Sequence, residues 1–115
     1  MSRVSRKHVA AKFEDYAPLF AALGDRTRLS LVAQLSRGEP KSISQLTEGL
    51  HLTRQAVTKH LRVLENVGLV RSTYSGRENR FELDTAPFKG INEYLQFVSA
   101  EWDQALTRLK ALVDG

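Results

Sequence analysis

Residues 53–67, TRQAVTKHLRVLENV, constrain this chain more than any other stretch. Val57, Leu61, Leu64 and then Gly68 recur at i, i+4, i+7 and i+11. That is the 3.6-residue period of a helix with one packed face. The opposite face holds Arg54, Gln55, Thr58, Lys59 and Arg62, grouped on the first turns. Thr53 stands where an N-cap hydroxyl would accept a hydrogen bond from an otherwise unpaired N–H. A helix buried on one side and lined with such donors on the other is suited to a groove of polar edges and phosphates.

The flanking segments read as its supports. Ser42 or Ser44 is suited to cap a short helix ending near Gly49, with Ile43, Leu46 and Leu50 as its apolar positions. A connection of about four residues leads from there to Thr53, the spacing of a helix-turn-helix over 42–67. Gly68 ends the central helix. LVRSTY (69–74), a turn over 75–79 and RFELD (80–84) then read as a hairpin with Val70, Phe81 and Leu83 inward. Such a hairpin over 69–84 is a wing, and Arg77 and Arg80 at or near its tip suit an adjacent minor groove.

Upstream, residues 1–12 read as a basic arm that frays at its start, with a helix from about Val9. Phe13, Tyr16, Ala17, Phe20 and Leu23 follow at helical spacing, and Pro18 implies either a helix start near Ala17 or a kink. Gly24 is expected as a left-handed cap and Asp25 as the N-cap of a helix over 26–36, whose buried side is Leu29, Val32, Ala33 and Leu35. Gly38 and Pro40 end that helix, and Pro87 breaks the chain again before a long helix over 88–113. In it Ile91, Leu95, Val98, Trp102, Ala105, Leu109 and Leu112 step 4-3-4-3-4-3, a heptad-like seam. The aromatic stripe reads most simply as core, or else as half of a dimer seam; with the last helix it gives an expected dimer interface of Phe13, Tyr16, Phe20, Ile91, Leu95, Val98, Trp102, Leu109 and Leu112.

Charge and composition narrow the function. Residues 37–80 carry eight Lys/Arg against four Asp/Glu, whereas residues 81–115 carry three against six. The basic middle is what a phosphate-binding surface needs, since each neutralised phosphate releases counterions. With 115 residues and no linker, one domain over 1–115 is expected, and no apolar run is long enough to span a membrane. A cytoplasmic, nucleoid-associated protein follows as the expectation. There is no cysteine, so disulfides and thiolate metal sites are excluded. His8, His51 and His60 match no standard metal spacing and no catalytic constellation, so no metal, cofactor or enzymatic activity is expected.

Double-stranded DNA is the partner these features suit. Gln55 fits adenine N6/N7, and Arg54 fits guanine O6/N7 or a phosphate. Lys59, His60 and Arg62 fit the backbone, and Ser44 and Gln45 suit a phosphate at the start of their helix. Two other classes stay open at this point: a metal or small-ligand sensor acting at the dimer interface, and a winged-helix module that binds protein.

PLFAALGDRTRLSLVAQL (18–35), SISQLTEGLHLTRQAVTKHLRVLENVGLVRS (42–72) and SGRENRFEL (75–83) together resemble the ArsR/SmtB-type winged helix-turn-helix repressors of bacteria. The resemblance covers roughly residues 15–85 and is most specific in LGDRTRL and AVTKHLRVLENVGLV. It implies a mainly α fold of about five helices plus a two-stranded wing. It also implies a homodimer built from first and last helices, a palindromic operator, and release from DNA by an inducer, which these residues do not name. Where metal-sensing members place a Cys-x-Cys pair this chain has Ser42 and Ser44, and its last helix has no histidine. It is therefore similar to a metal-independent subgroup.

Overall fold

The computed structural model describes the backbone of residues 6–114 and the side chains of residues 15–114. Five helices and three short strands follow one another as α1 (Arg6–Leu23), α2 (Arg26–Leu35), β1 (Lys41–Ser42), α3 (Ile43–Thr47), α4 (Arg54–Asn66), β2 (Val70–Ser75), β3 (Glu78–Leu83) and α5 (Ala86–Asp114). Sequence periodicity located each helix, with differences at the boundaries. The chain before Arg6 lies outside the described residues, as does the side chain of Phe13.

Pro18 neither starts nor interrupts α1, which runs through it from Arg6. Gly24 is not in the left-handed region. The chain turns straight from α1 into Asp25, whose extended backbone (φ −142°, ψ 135°) makes it the N-cap of α2. Its carboxylate Oδ2 accepts from the Arg28 N–H at 3.0 Å. The buried side of α2 is Leu31 and Leu35, with Val32 packed beside them. Leu29, expected inside, is 54% exposed, and Ala33 is exposed too. The i, i+4 pair 31 and 35 is the one aligned with the core.

Ser42 is the cap of α3, through a reciprocal capping box. Its hydroxyl accepts from the Gln45 N–H at 3.2 Å, while the Gln45 side chain accepts from the Ser42 N–H at 2.9 Å. Lys41–Ser42 is also a strand that sequence periodicity did not reveal. It pairs antiparallel with β3, so the sheet has three strands in the order β1-β3-β2 rather than two. Two residues are too few to show alternation.

The hairpin is tighter than expected. Ser75 pairs with Glu78, leaving Gly76 and Arg77 as the whole turn. Gly76 has φ +65° and Arg77 stays outside the left-handed region. That combination is the type II′ pattern, which matches the twist of the flanking strands and calls for glycine at the first turn position.

Helix α5 begins at Ala86, so Pro87 lies inside its first turn, where a missing N–H costs nothing. One core unites these elements: Ala22, Leu31, Leu35, Leu46, Val57, Leu61, Leu64, Leu69, Val70, Phe81 and Ile91. Tyr94 of α5 meets Tyr16 and Phe20 of α1 edge-on, with ring centroids 5.8 and 5.6 Å away. Gly90 lets the two helices approach, for a Cβ there would come within 3.1 Å of the Tyr16 ring. Beyond this contact α5 leaves the body of the protein. The radius of gyration is 18.5 Å, against about 13 Å for a compact domain of this length. Among the described residues no helix is long and apolar enough to cross a membrane.

Candidate nucleic-acid interface

The site is built on α4. Thr53 caps it as expected, its hydroxyl accepting from the Ala56 N–H at 3.1 Å. Val57, Leu61 and Leu64 are completely buried. Their burial fixes the rotation of the helix about its axis and leaves Arg54, Gln55, Lys59 and Arg62 exposed, with Thr58 half-buried at their edge. Part of that polar face has work within the chain. The Arg54 guanidinium donates to the Ser44 hydroxyl, bracing the start of α4 against α3. The Thr58 hydroxyl donates to the Arg54 carbonyl at 2.7 Å, leaving its lone pairs for an outside donor. Arg62 lies 3.7 Å from Glu65, whose other oxygen accepts from the Ser72 hydroxyl at 2.9 Å. Among the described residues, Gln55 and Lys59 make no comparable contact, and both are exposed on the first two turns.

Three expected site residues have partners within the chain. Gln45 is exposed, but its amide oxygen is committed to the capping box. His60 turns inward: its Nδ1 lies 3.2 Å from Arg28 Nη1 and 3.7 Å from Asp25 Oδ2. Arg80 lies near the wing tip but within β3. It pairs with Thr73 on one side and Ser42 on the other, and its guanidinium donates twice to Glu78 Oε2, at 3.1 and 3.0 Å. The same face of the hairpin carries the Arg71–Glu82 pair at 3.0 Å. Two arginines are thus matched by two carboxylates, and Arg77 remains as the exposed cation of the turn.

Among the described residues, the cluster at the α1–α2 junction carries the one clear electrostatic perturbation. Asp25 is held below the ordinary carboxylate value, first by the hydrogen bond from the Arg28 N–H, with desolvation opposing it and the charge of the Arg28 guanidinium assisting. Because the folded value is lowered, this contribution to stability is present above the unfolded-chain value and is lost as pH falls through the folded one. Among the described residues no group of three or more His, Cys, Asp or Glu is placed to hold a metal ion.

Sequence reasoning missed Tyr74, which is 78% exposed beside the wing tip. Strand alternation contained the signal. Val70, Ser72 and Tyr74 share one face of β2; Val70 is buried, Ser72 reaches Glu65 of α4, and Tyr74 is left exposed. It also missed Arg28 as the partner of His60, because residues 32 apart in sequence show no periodic relation.

Comparison with known proteins agrees with this architecture. A family described as a helix-turn-helix domain matches residues 23–73, which spans α2 through most of β2. The HTH-type transcriptional regulator Rv2034 of Mycobacterium tuberculosis is 32% identical over 94 residues, covering 82% of this chain and 84% of that protein. The structure of an ArsR-like transcriptional regulator from Rhodococcus sp. RHA1 superposes with a TM-score of 0.77 at 35% identity, covering 91% of this chain and 95% of that one. The solution structure of Mb0332 from Mycobacterium bovis, described as a homodimeric winged helix-turn-helix DNA-binding domain, shares the fold at 20% identity, with a TM-score of 0.62 over 88% of this chain and 91% of that one. By its sequence, its architecture and these likenesses, the chain belongs to the ArsR family of winged helix-turn-helix transcriptional regulators.

Proposed function

We propose that this regulator acts in the bacterial cytoplasm, on the nucleoid, as a homodimeric repressor that reads a palindromic operator through α4. The observation that carries the reading is the division of α4. Its apolar side is completely enclosed, and Arg54, Gln55, Lys59 and Arg62 are left on the outside. Gln55 reads a base, most naturally adenine through a bidentate contact, and Arg54, Thr58, Lys59 and Arg62 hold phosphates or an adjacent base edge. Arg77 supplies a wing-tip contact to a phosphate or a minor groove. Two copies of α4 then lie about 34–36 Å apart, or a multiple of that, in successive major grooves.

The second copy is supplied by α5. Leu95, Val98, Trp102, Leu106, Leu109 and Leu112 are exposed along it, a long apolar stripe that water does not favour. Packing two such stripes together, with Tyr16 and Phe20 of α1 alongside, covers both. The homodimeric Mycobacterium bovis domain of the same fold supports this. Metal-independent regulation fits the hydroxyls at 42 and 44, which serve as a helix cap and as the acceptor for Arg54.

Substituting Gln55 by Ala separates reading from mere attraction. It should weaken binding to a duplex selected from random sequence by about 1–3 kcal/mol while leaving a scrambled duplex unaffected. Arg77→Ala should instead weaken both and reduce the slope of log affinity against log salt by about 1. Fluorescence anisotropy on the two duplexes measures each. Equal loss on both duplexes for Gln55→Ala would remove Gln55 as a base reader. Absence of salt-sensitive duplex binding would turn the reading towards a protein-binding module.

A further inference from the structure

One contact of α4 looks inward. His60 Nδ1 lies 3.2 Å from Arg28 Nη1. A guanidinium has only donors, so Nδ1 accepts and the ring is neutral, with its proton on Nε2. Arg28 is itself anchored at two further points. Its Nε donates to the Ala22 carbonyl at the end of α1, at 2.5 Å, and its backbone N–H donates to the Asp25 carboxylate. One side chain therefore ties the last turn of α1 and the first turn of α2 to the middle of α4. Helix α1 is in turn packed on α5 through Tyr16, Phe20 and Tyr94.

We propose that Arg28 and His60 form a positioning clamp that sets how α4 sits against the α1–α2 junction, and that the clamp holds only while His60 is neutral. The proposal rests on α4 being the DNA-reading helix. The charged groups facing His60 among the described residues are Arg28 and Asp25, both from the N-terminal end of α2, and α1 contributes the Ala22 carbonyl that anchors Arg28. Protonating Nδ1 removes the acceptor and sets two cations against each other. The Asp25 carboxylate, 3.7 Å away, then becomes the partner of the imidazolium. The exchange swaps an arginine contact for a carboxylate contact and re-aims α4 on its support. The His60 side chain is 26% exposed, so solvent protons reach it. A histidine acting as a plain phosphate ligand would do the opposite, since acidification would tighten its grip on every duplex.

The test compares the wild-type protein with His60→Asn and His60→Leu, at about pH 8 and about pH 5.5, on either side of the range in which histidines ordinarily titrate. Asparagine sets an oxygen near the position of Nδ1 and does not titrate; leucine removes the acceptor. The probes are one duplex selected by the wild-type protein from random sequence and a scrambled duplex of equal length. His8 and His51 are present in every variant, so the comparison between variants isolates residue 60. The wild-type preference for the selected duplex should fall roughly tenfold on acidification, the scale of one hydrogen bond to a charged group. His60→Asn should keep its preference at both pH values, and His60→Leu should be poor at both. A parallel fall in wild type and His60→Asn would overturn the clamp. So would an affinity for both duplexes that rises on acidification in wild type and not in His60→Asn. Backbone amide shifts of residues 54–62 in the free protein give a readout independent of DNA. They should move with pH in wild type and stay still in His60→Asn; amides that stay still in wild type also overturn the clamp. If the amides move but no variant binds duplex, the DNA reading fails and the clamp stands.

Discussion

In α4 the apolar residues Val57, Leu61 and Leu64 are wholly enclosed by the rest of the chain, whereas along α5 only Ile91 is buried. Both helices are recognisable from apolar residues recurring every three or four positions. The difference lies in what each repeat finds to pack against. Helix α4 has 13 residues and is surrounded by α1, α2, α3 and β2. Helix α5 has 29 residues, about 43 Å of length, and only its first turns meet the core. Past Val98 the stripe continues on Trp102, 61% exposed, and Leu109, 57% exposed. A periodic apolar pattern thus states that a face will be covered, and does not state whether the cover comes from the same chain.

Substitutions on the two helices should separate these cases sharply. The largest effect belongs to Leu61→Ala, which opens a hole in a sealed core and should cost about 2–5 kcal/mol of folding stability, read from the shift of a denaturant midpoint. A loss below 1 kcal/mol would mean that α4 is not held by its apolar face. Trp102→Ala should leave the fold of the chain intact and strike association. An aromatic anchor at the centre of an interface is worth about 2 kcal/mol, or roughly a thirtyfold rise in the dimer dissociation constant by sedimentation equilibrium. Unchanged association would place the dimer seam elsewhere. The smallest effect is expected for Thr53→Ala, which removes the cap of α4 at a cost of about 1 kcal/mol, again by denaturant titration. It sharpens the comparison by showing how little of the hold on α4 is local.

Much of the candidate site was legible in advance because helical periodicity and capping chemistry are local. The exposed and buried faces of α4, the Thr53 cap and the hairpin after Gly68 all depend on neighbours within a few residues. Arg80 illustrates the limit. Basic residues near a glycine turn read as a tip, but the two-residue turn moved the tip to Gly76 and Arg77 and left Arg80 opposite Ser42 and Thr73. Leu29 and Leu31 show the same limit inside a helix: both are plausible core residues, and the direction from which α4 approaches decided for Leu31.

By itself, the sequence determined the number and kind of the helices, the polar and apolar division of α4, the absence of cysteine chemistry and the resemblance to a family of repressors. These follow from residue type and from spacings shorter than about one helix turn, where backbone geometry alone relates the side chains. The tertiary structure decided which charges remain available for a partner. Only once the chain has folded do Glu78 and Glu82 lie beside Arg80 and Arg71, Ser44 beside Arg54, and Arg28 beside His60. Electrostatic partners are chosen by distance in space, and a one-dimensional pattern does not record which residues thirty positions apart will lie 3 Å from each other.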